Sequence, residues 1–216
     1  MEKAKAIILD IDGTLTETVS WLAFTQGLGG DVDEHARIFD EFKNGNTTYI
    51  DAKKELITLW RATGNAKRSD VTRIFESWQV YPGVQELVAE LSVDYKVCII
   101  TGSFDLWAKT LADRLSVKDW FANTALMFDD NDEIYDMDYT LKQAEKKLEH
   151  FEAYCAEHGL LPTECVAVGD SDNDIKLFEA TGHGIAVGNA PTELLAVAEK
   201  KIVSITELIG VLGNQI

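Results

Sequence analysis

Three short apolar, β-branched runs in this chain each end in a polar cluster rich in Asp, Thr or Gly. Residues 5–9 (Lys-Ala-Ile-Ile-Leu) run into Asp10-Ile11-Asp12-Gly13-Thr14. Residues 96–100 (Lys-Val-Cys-Ile-Ile) run into Thr101-Gly102-Ser103, and residues 164–168 into Gly169-Asp170-Ser171-Asp172-Asn173-Asp174. Runs that are apolar on successive positions are the signature of parallel strands covered on both faces. Residues 184–187 and 201–203 are weaker candidates of the same kind. Helical periodicity separates them, over 84–91, 106–115, 141–158, 175–180 and 193–198. Strands alternating with helices predict an α/β fold, a doubly wound parallel sheet, with the tail 201–216 adding a last strand and helix.

One region breaks the alternation. Between residues 16 and 80 only helix-like segments appear, at 19–27, 34–42, 49–62 and 70–78, separated by Gly29-Gly30, Gly45-Asn46 and Gly64-Asn65. Tyr81-Pro82-Gly83 then punctuates the return. The expected organisation is a core of residues 1–15 plus 81–216 carrying an all-helical insert over 16–80. A smaller interruption at 127–138, centred on Asp129-Asp130-Asn131-Asp132, reads as a β-hairpin.

Charge restricts the partners. With 20 Lys+Arg against 37 Asp+Glu the formal net charge is −17, which argues against nucleic acid or an anionic membrane, since both need a basic face. An anionic substrate would need local cations. No apolar stretch approaches the ~18 residues of a membrane span, and the start of the chain leads into a strand without a signal-peptide apolar region. A cytoplasmic protein is expected. Cys98, Cys155 and Cys165 lack CxxC spacing and read as small buried hydrophobes. His35, His150, His158 and His183 show no metal-ligand spacing and receive no role.

In a doubly wound sheet, ligands bind at the carboxyl ends of the strands. That edge would receive Asp10, Asp12, Thr101, Asp170 and Asp174. Crowded carboxylates repel one another unless a cation or protons intervene. An oxygen-rich set without His or Cys suits a hard cation, and Mg²⁺ is the usual one beside phosphate. Asp-Gly and Asp-Asn also make simple turns after strands, but two such clusters 160 residues apart (170 − 10), both at strand ends, are hard to reconcile with turns alone.

Asp10-Ile11-Asp12-Gly13-Thr14-Leu15-Thr16, Thr101-Gly102-Ser103 and Gly169–Asp174 resemble the first, second and fourth motifs of the haloacid dehalogenase superfamily, in its phosphoserine-phosphatase-like branch. The resemblance covers the chain outside the helical insert, which lies where that branch carries a cap. The third motif is a lone lysine for which Lys142, Lys146 and Lys147 compete. The spacing implied by the resemblance, 23 residues before Asp170 (170 − 147), falls on Lys147, with Lys146 the runner-up.

The roles implied are those of a phosphatase acting on a small phosphorylated metabolite. Asp10 attacks phosphorus to give an aspartyl phosphate. Asp12 protonates the leaving oxygen and then deprotonates water. Asp10, the backbone carbonyl of Asp12, and Asp170 hold Mg²⁺, with Asp174 in support. Thr101 and Lys147 stabilise the phosphoryl oxygens, and Gly102 lets backbone approach them. Ser103 and Asn173 are counted among the substrate contacts. An acid at Asp12 favours phosphoryl transfer over carbon–halogen cleavage, because halide needs no proton.

The resemblance also places substrate selection in the insert. Where that branch holds an amino-acid head group with a Glu and an Arg, an ungapped match puts Val19 and Leu56. Glu17 and Arg61 would serve only after a register shift. A buried carboxylate without a partner is costly, so phosphoserine is disfavoured. Trp21 is expected to face the pocket, and an apolar or ring-bearing leaving group such as a sugar or nucleoside fits better. The alternatives are a phosphomutase, a catalytically silent phosphate-binding protein, and a phosphorylatable receiver module. The receiver is disfavoured because its acceptor Asp lies on a middle strand without a helical insert. Oligomeric state does not follow from the sequence.

Overall fold

The computed structural model describes residues 4–213. Within them β1 (Ala6–Leu9) is followed by four helices, α1 (Ser20–Leu28), α2 (Val32–Lys43), α3 (Tyr49–Ala62) and α4 (Arg68–Ser77). The chain then alternates: α5 (Val84–Asp94), β2 (Lys96–Phe104), α6 (Asp105–Leu115), β3 (Asp119–Phe128), β4 (Ile134–Tyr139), α7 (Gln143–His158), β5 (Cys165–Gly169). It ends with α8 (Ile175–Thr181), β6 (Gly184–Val187), α9 (Thr192–Leu195), β7 (Lys200–Ile202) and α10 (Leu208–Gly213). The strands form one seven-stranded sheet in the order β4-β3-β2-β1-β5-β6-β7. All neighbours are parallel except β3 and β4. This is a doubly wound α/β fold. The winding reverses between β1 and β5, so its crevice opens at their carboxyl ends.

The period of two along the strands explains why the central ones are apolar throughout. Ile7 and Leu9, Val97 and Ile99, and Val166 and Val168 enter one buried cluster with α5 and α6. Their alternates Ala6 and Ile8, Cys98 and Ile100, and Cys165 and Ala167 enter a second cluster with Phe151 and Tyr154 of α7 and Phe178 of α8. Both faces are covered, so neither can carry polar residues.

The first cluster does not stop at the sheet. Phe24, Leu56, Trp60 and Phe75 from three of the inserted helices, α1, α3 and α4, belong to it, and Phe24 packs on Phe104 at a ring separation of 4.9 Å. Local signals fix the starts of α2 and α3: Asp31 accepts from the backbone N–H of Asp33 and Glu34, and Thr48 from that of Asp51. Lys53–Asp136 (2.7 Å), Arg61–Glu133 (3.0 Å) and Arg68–Asp132 (3.0 Å) tie the insert to the β3–β4 hairpin.

Two expectations change. The hairpin is present, but its first strand begins at Asp119 and pairs in parallel with β2. Asn123 and Thr124 interrupt any apolar run there. Thr124 donates to the Gly102 carbonyl and Asn123 to Gln143, so their polarity is absorbed locally. β2 also runs on through Thr101-Gly102-Ser103 to Phe104, with a register irregularity between Thr101 and Phe104. Of the expected tail, β7 and α10 are present, and residues 214–216 lie outside the described residues. No described helix is long and apolar enough to cross a membrane.

Candidate active site

Asp10 follows β1, Thr101 lies on β2, and Asp170 follows β5, so the three central strands deliver them to one edge. Carboxylate oxygens of Asp10, Asp170 and Asp174 lie within 4.8 Å of one another. Lys147, fully buried on α7, puts Nζ 3.0 Å from Asp10 Oδ1 and 2.7 Å from Asp174 Oδ1. Burial works against its charge, but Asp10 and then Asp174 outweigh this and lift its pKa above the ordinary lysine value. Lys146 instead pairs with Glu149 at 3.0 Å on the surface, and Lys142 precedes the helix.

Asp174 is fully engaged. Besides Lys147, it accepts from the backbone N–H of Asp170 and Ser171, each at 3.2 Å. Burial, with Asp10 opposing Lys147, leaves its carboxyl raised to about 6. Asp170 is raised to about 7 by burial and by Asp10 and Asp174. Its carboxylate occupies the space a side chain at position 13 would fill: a Cβ there would lie 2.0 Å from Asp170 Oδ2, and Gly13 has φ +71°. Only glycine meets both conditions.

Asp12 is held by a residue that the sequence reading missed. Ser20, the first residue of α1, donates to Asp12 Oδ2 from its backbone N–H (2.9 Å) and its hydroxyl (2.5 Å). Ser103 in turn donates to the Ser20 hydroxyl at 2.6 Å. Burial, partly countered by Ser20 and reinforced by Asp10, raises the Asp12 carboxyl to about 7. Because both Ser20 bonds end on Oδ2, the proton belongs on Oδ1, which is buried and without a partner. A Ser at the start of a helical pattern was the available signal, but nothing in the sequence tied it to Asp12.

The remaining expected residues separate. Thr101 is 1% exposed, and its hydroxyl oxygen accepts from the Ser103 backbone N–H. Gly102 is crowded on its side-chain face by Gln143 Oε1 and Asn173 Nδ2, at 2.9 and 3.5 Å from a Cβ position. Asn173 thus reaches the site, and its Oδ1 is buried without a partner. Ser103 is committed to Ser20. Glu17 is exposed and Arg61 is tied to Asp129, Glu133 and the Ile134 carbonyl, so neither is drawn toward a substrate head group by any bond seen here.

Val19 and Leu56 come together in one cavity of about 350 Å³ between α1, α2, α3 and β4, with Trp21, His35, Phe42 and Tyr139 in its wall. It neighbours the carboxylate site along the chain: Val19 precedes Ser20, and the Trp21 ring lies 4.6 Å from that of Phe104, tilted by 47°, the residue that follows Ser103.

The donor set fits a hard divalent cation. Four carboxylates surround one lysine, all the clustered donors are oxygens, and Asp170 makes no side-chain bond to protein among the described residues. Such a set is unfavourable at neutral pH without added positive charge.

A family model for haloacid dehalogenase-like hydrolases matches residues 4–182. A phosphoserine phosphatase of Archaeoglobus fulgidus is 28% identical over 201 residues, covering 92% of this chain; the chain spans only 56% of that relative's length. One of Methanocaldococcus jannaschii is 28% identical over 190 residues, 86% of this chain and 87% of the relative. Among solved structures, a phospho-aspartyl intermediate analogue of phosphoserine phosphatase superposes with TM-score 0.75 at 24% identity, over 97% of this chain and 99% of that one, a likeness of fold.

Proposed function

The chain belongs to the haloacid dehalogenase-like hydrolases, and from that premise we propose that it is a cytoplasmic, Mg²⁺-dependent phosphatase of a small phosphomonoester, working through an aspartyl phosphate on Asp10. The observation that carries this reading is the buried edge where Asp10, Asp12, Asp170, Asp174 and Lys147 meet. The names of its relatives point to the same chemistry.

An oxygen of Asp10 attacks phosphorus as the bond to the leaving alkoxide breaks. The proton on Asp12 Oδ1 passes to that alkoxide, which departs as the alcohol. Asp12, now ionised, removes a proton from water. The hydroxide attacks phosphorus, the bond to Asp10 breaks, and inorganic phosphate leaves with both carboxyls restored. A pKa near 7 for Asp12 suits a group that must give and then take a proton at neutral pH. Ser103 and Ser20 fix its orientation and leave Oδ1 bare. Lys147 balances charge on the phosphoryl oxygens while holding Asp10 and Asp174 in register. Thr101 and the Gly102 backbone would meet those oxygens.

Asp10, the Asp12 carbonyl and Asp170 would hold Mg²⁺, and it would supply charge neutralisation to the phosphoryl group. The three bonds that Asp174 already accepts favour a supporting role for it. We read residues 16–80 as a lid on the core of 1–15 plus 81–216, excluding water and positioning the leaving group. Val19 and Leu56 in an apolar wall argue against phosphoserine as the preferred ester.

The test is release of inorganic phosphate from a panel of phosphomonoesters, with Mg²⁺ and with EDTA, beside Asp10→Asn. Turnover that needs Mg²⁺ and is abolished by Asp10→Asn is expected; turnover that survives either change would overturn the reading.

A further inference from the structure

The hydrolytic machinery does not use the cavity between α1, α2, α3 and β4. Its wall is aromatic and aliphatic: Val19, Trp21, Leu56, Phe42 and Tyr139. Lys53 and Asp40 also line it, but the Lys53 ammonium is held by Asp136 at 2.7 Å and Asp40 is exposed to solvent. At about 350 Å³ it exceeds twice the ~150 Å³ cavity that holds benzene, so a ring with substituents fits.

His35 is its distinctive polar member. It is 5% exposed, yet it lines the cavity. Its Nδ1 lies 2.6 Å from Thr25 Oγ1, and the same oxygen accepts from Trp60 Nε1–H at 2.7 Å. Thr25 is fully buried, and its hydroxyl proton has His35 Nδ1 as its acceptor among the bonds of the described residues. A ring that accepts at Nδ1 carries its proton on Nε2 when neutral, and burial lowers the His35 pKa, favouring the neutral ring. The Trp60–Thr25–His35 chain therefore sets the tautomer and leaves Nε2–H for the cavity. A fixed donor in an apolar wall discriminates strongly among ligands, because a ligand without an acceptor leaves it unpaired.

Resting on the phosphatase reading, we propose that the alcohol half of the substrate is a ring-bearing, largely apolar group seated in this cavity, with His35 Nε2–H donating to an acceptor carried on it. Val19 of the cavity wall is followed by Ser20, which bonds Asp12; the phosphoryl group would sit at Asp10 with the ring against Trp21.

The test compares acetyl phosphate, O-phosphoserine, phenyl phosphate, and phenyl phosphates bearing a carbonyl group at the ortho, meta or para position. Turnover is measured on the full chain with Mg²⁺, and binding separately by calorimetry on Asp10→Asn. Phenyl phosphate should exceed phosphoserine roughly tenfold or more in kcat/KM and in affinity. At least one carbonyl isomer should gain a further three- to tenfold or so, the worth of one hydrogen bond. His35→Asn, whose amide still meets Thr25, should lose that further gain through KM rather than kcat. His35→Gln, which returns a donor near the Nε2 position, should recover part of it. Hydrolysis of acetyl phosphate with phosphoserine equal to or better than phenyl phosphate would overturn this proposal and leave the phosphatase reading standing. No hydrolysis of any donor, with phenyl phosphate still bound more tightly than phosphoserine, would overturn the phosphatase reading while supporting the cavity's preference. A carbonyl gain that persists in His35→Asn would remove His35 from the account.

Discussion

The carboxylate edge of the sheet and the cavity of the helical insert meet at Val19–Ser20 yet are organised in opposite ways. At the edge, three of the four carboxylates and one buried lysine are fixed by short bonds: Lys147 to Asp10 and Asp174 at 3.0 and 2.7 Å, Ser20 to Asp12 at 2.5 Å. In the cavity, contacts are ring against ring, such as Trp21 with Phe104 at 4.6 Å and with Tyr139 at 5.3 Å. Mispairing a buried charge is expensive, so the edge admits few sequences. Apolar walls tolerate many combinations of similar volume. On the proposed reading, chemistry belongs to the edge and selection to the cavity.

That contrast breaks most sharply at Asp10. Asp10→Asn should lower turnover by about 10⁴-fold or more, and Asp12→Asn by about 10²–10⁴-fold, with every ester affected alike. Loss that varied from ester to ester would blur the division between edge and cavity. Phosphate-release kinetics across the panel decide it.

Lys147→Ala tests whether the edge is held by its charges. Removing the Lys147 ammonium leaves the Asp10 and Asp174 charges without their cation, at a cost of about 3–5 kcal/mol. Denaturant unfolding should show the full loss at pH 8 and a smaller one at pH 5, where the carboxylates can take up protons instead. A pH-independent loss would point to packing.

The third test is thermodynamic. Asp12 and Asp170 rise from the ordinary 3.8 to about 7 and Asp174 to about 6, so the metal-free folded chain binds more protons than the unfolded one across that window. Their contribution to stability is full below pH 3.8 and is lost as pH rises through 6 to 7. A cation must displace the proton on Asp170 at pH 5.5 but not at pH 8. The rise in Tm on adding Mg²⁺ should therefore grow with pH across that interval, and a constant rise would contradict the ligand assignment. The smallest effect belongs to Arg61→Ala. Its partners on the hairpin, Asp129 and Glu133, are only half-buried, so a loss within about 1 kcal/mol is expected, with ester preference unchanged.

The edge was legible because its residues cluster at strand ends, where Asp and Gly have few other reasons to recur. Asp10, Asp12, Thr101, Asp170 and Asp174 could all be placed from their neighbours in sequence. Lys147 needed a family spacing, since a lysine on a helix looks like any solvated one. Ser20 was hidden because its bond to Asp12 spans a turn whose path is set by Gly13 and the first helix start. The strand β3 was hidden because Asn123 and Thr124 spend their polarity on Gln143 and Gly102, contacts that only the folded chain reveals. His35 escaped for a similar reason: its tautomer depends on Thr25 and Trp60, partners from two other helices.

The most direct measurement is to quench the protein in acid during turnover of a phosphomonoester with Mg²⁺ and map the modified peptide by mass spectrometry. The account predicts a single phosphoryl group on Asp10, absent without Mg²⁺ and absent in Asp10→Asn. A phosphoryl group on another residue during turnover, or phosphate release undiminished in Asp10→Asn, would contradict it.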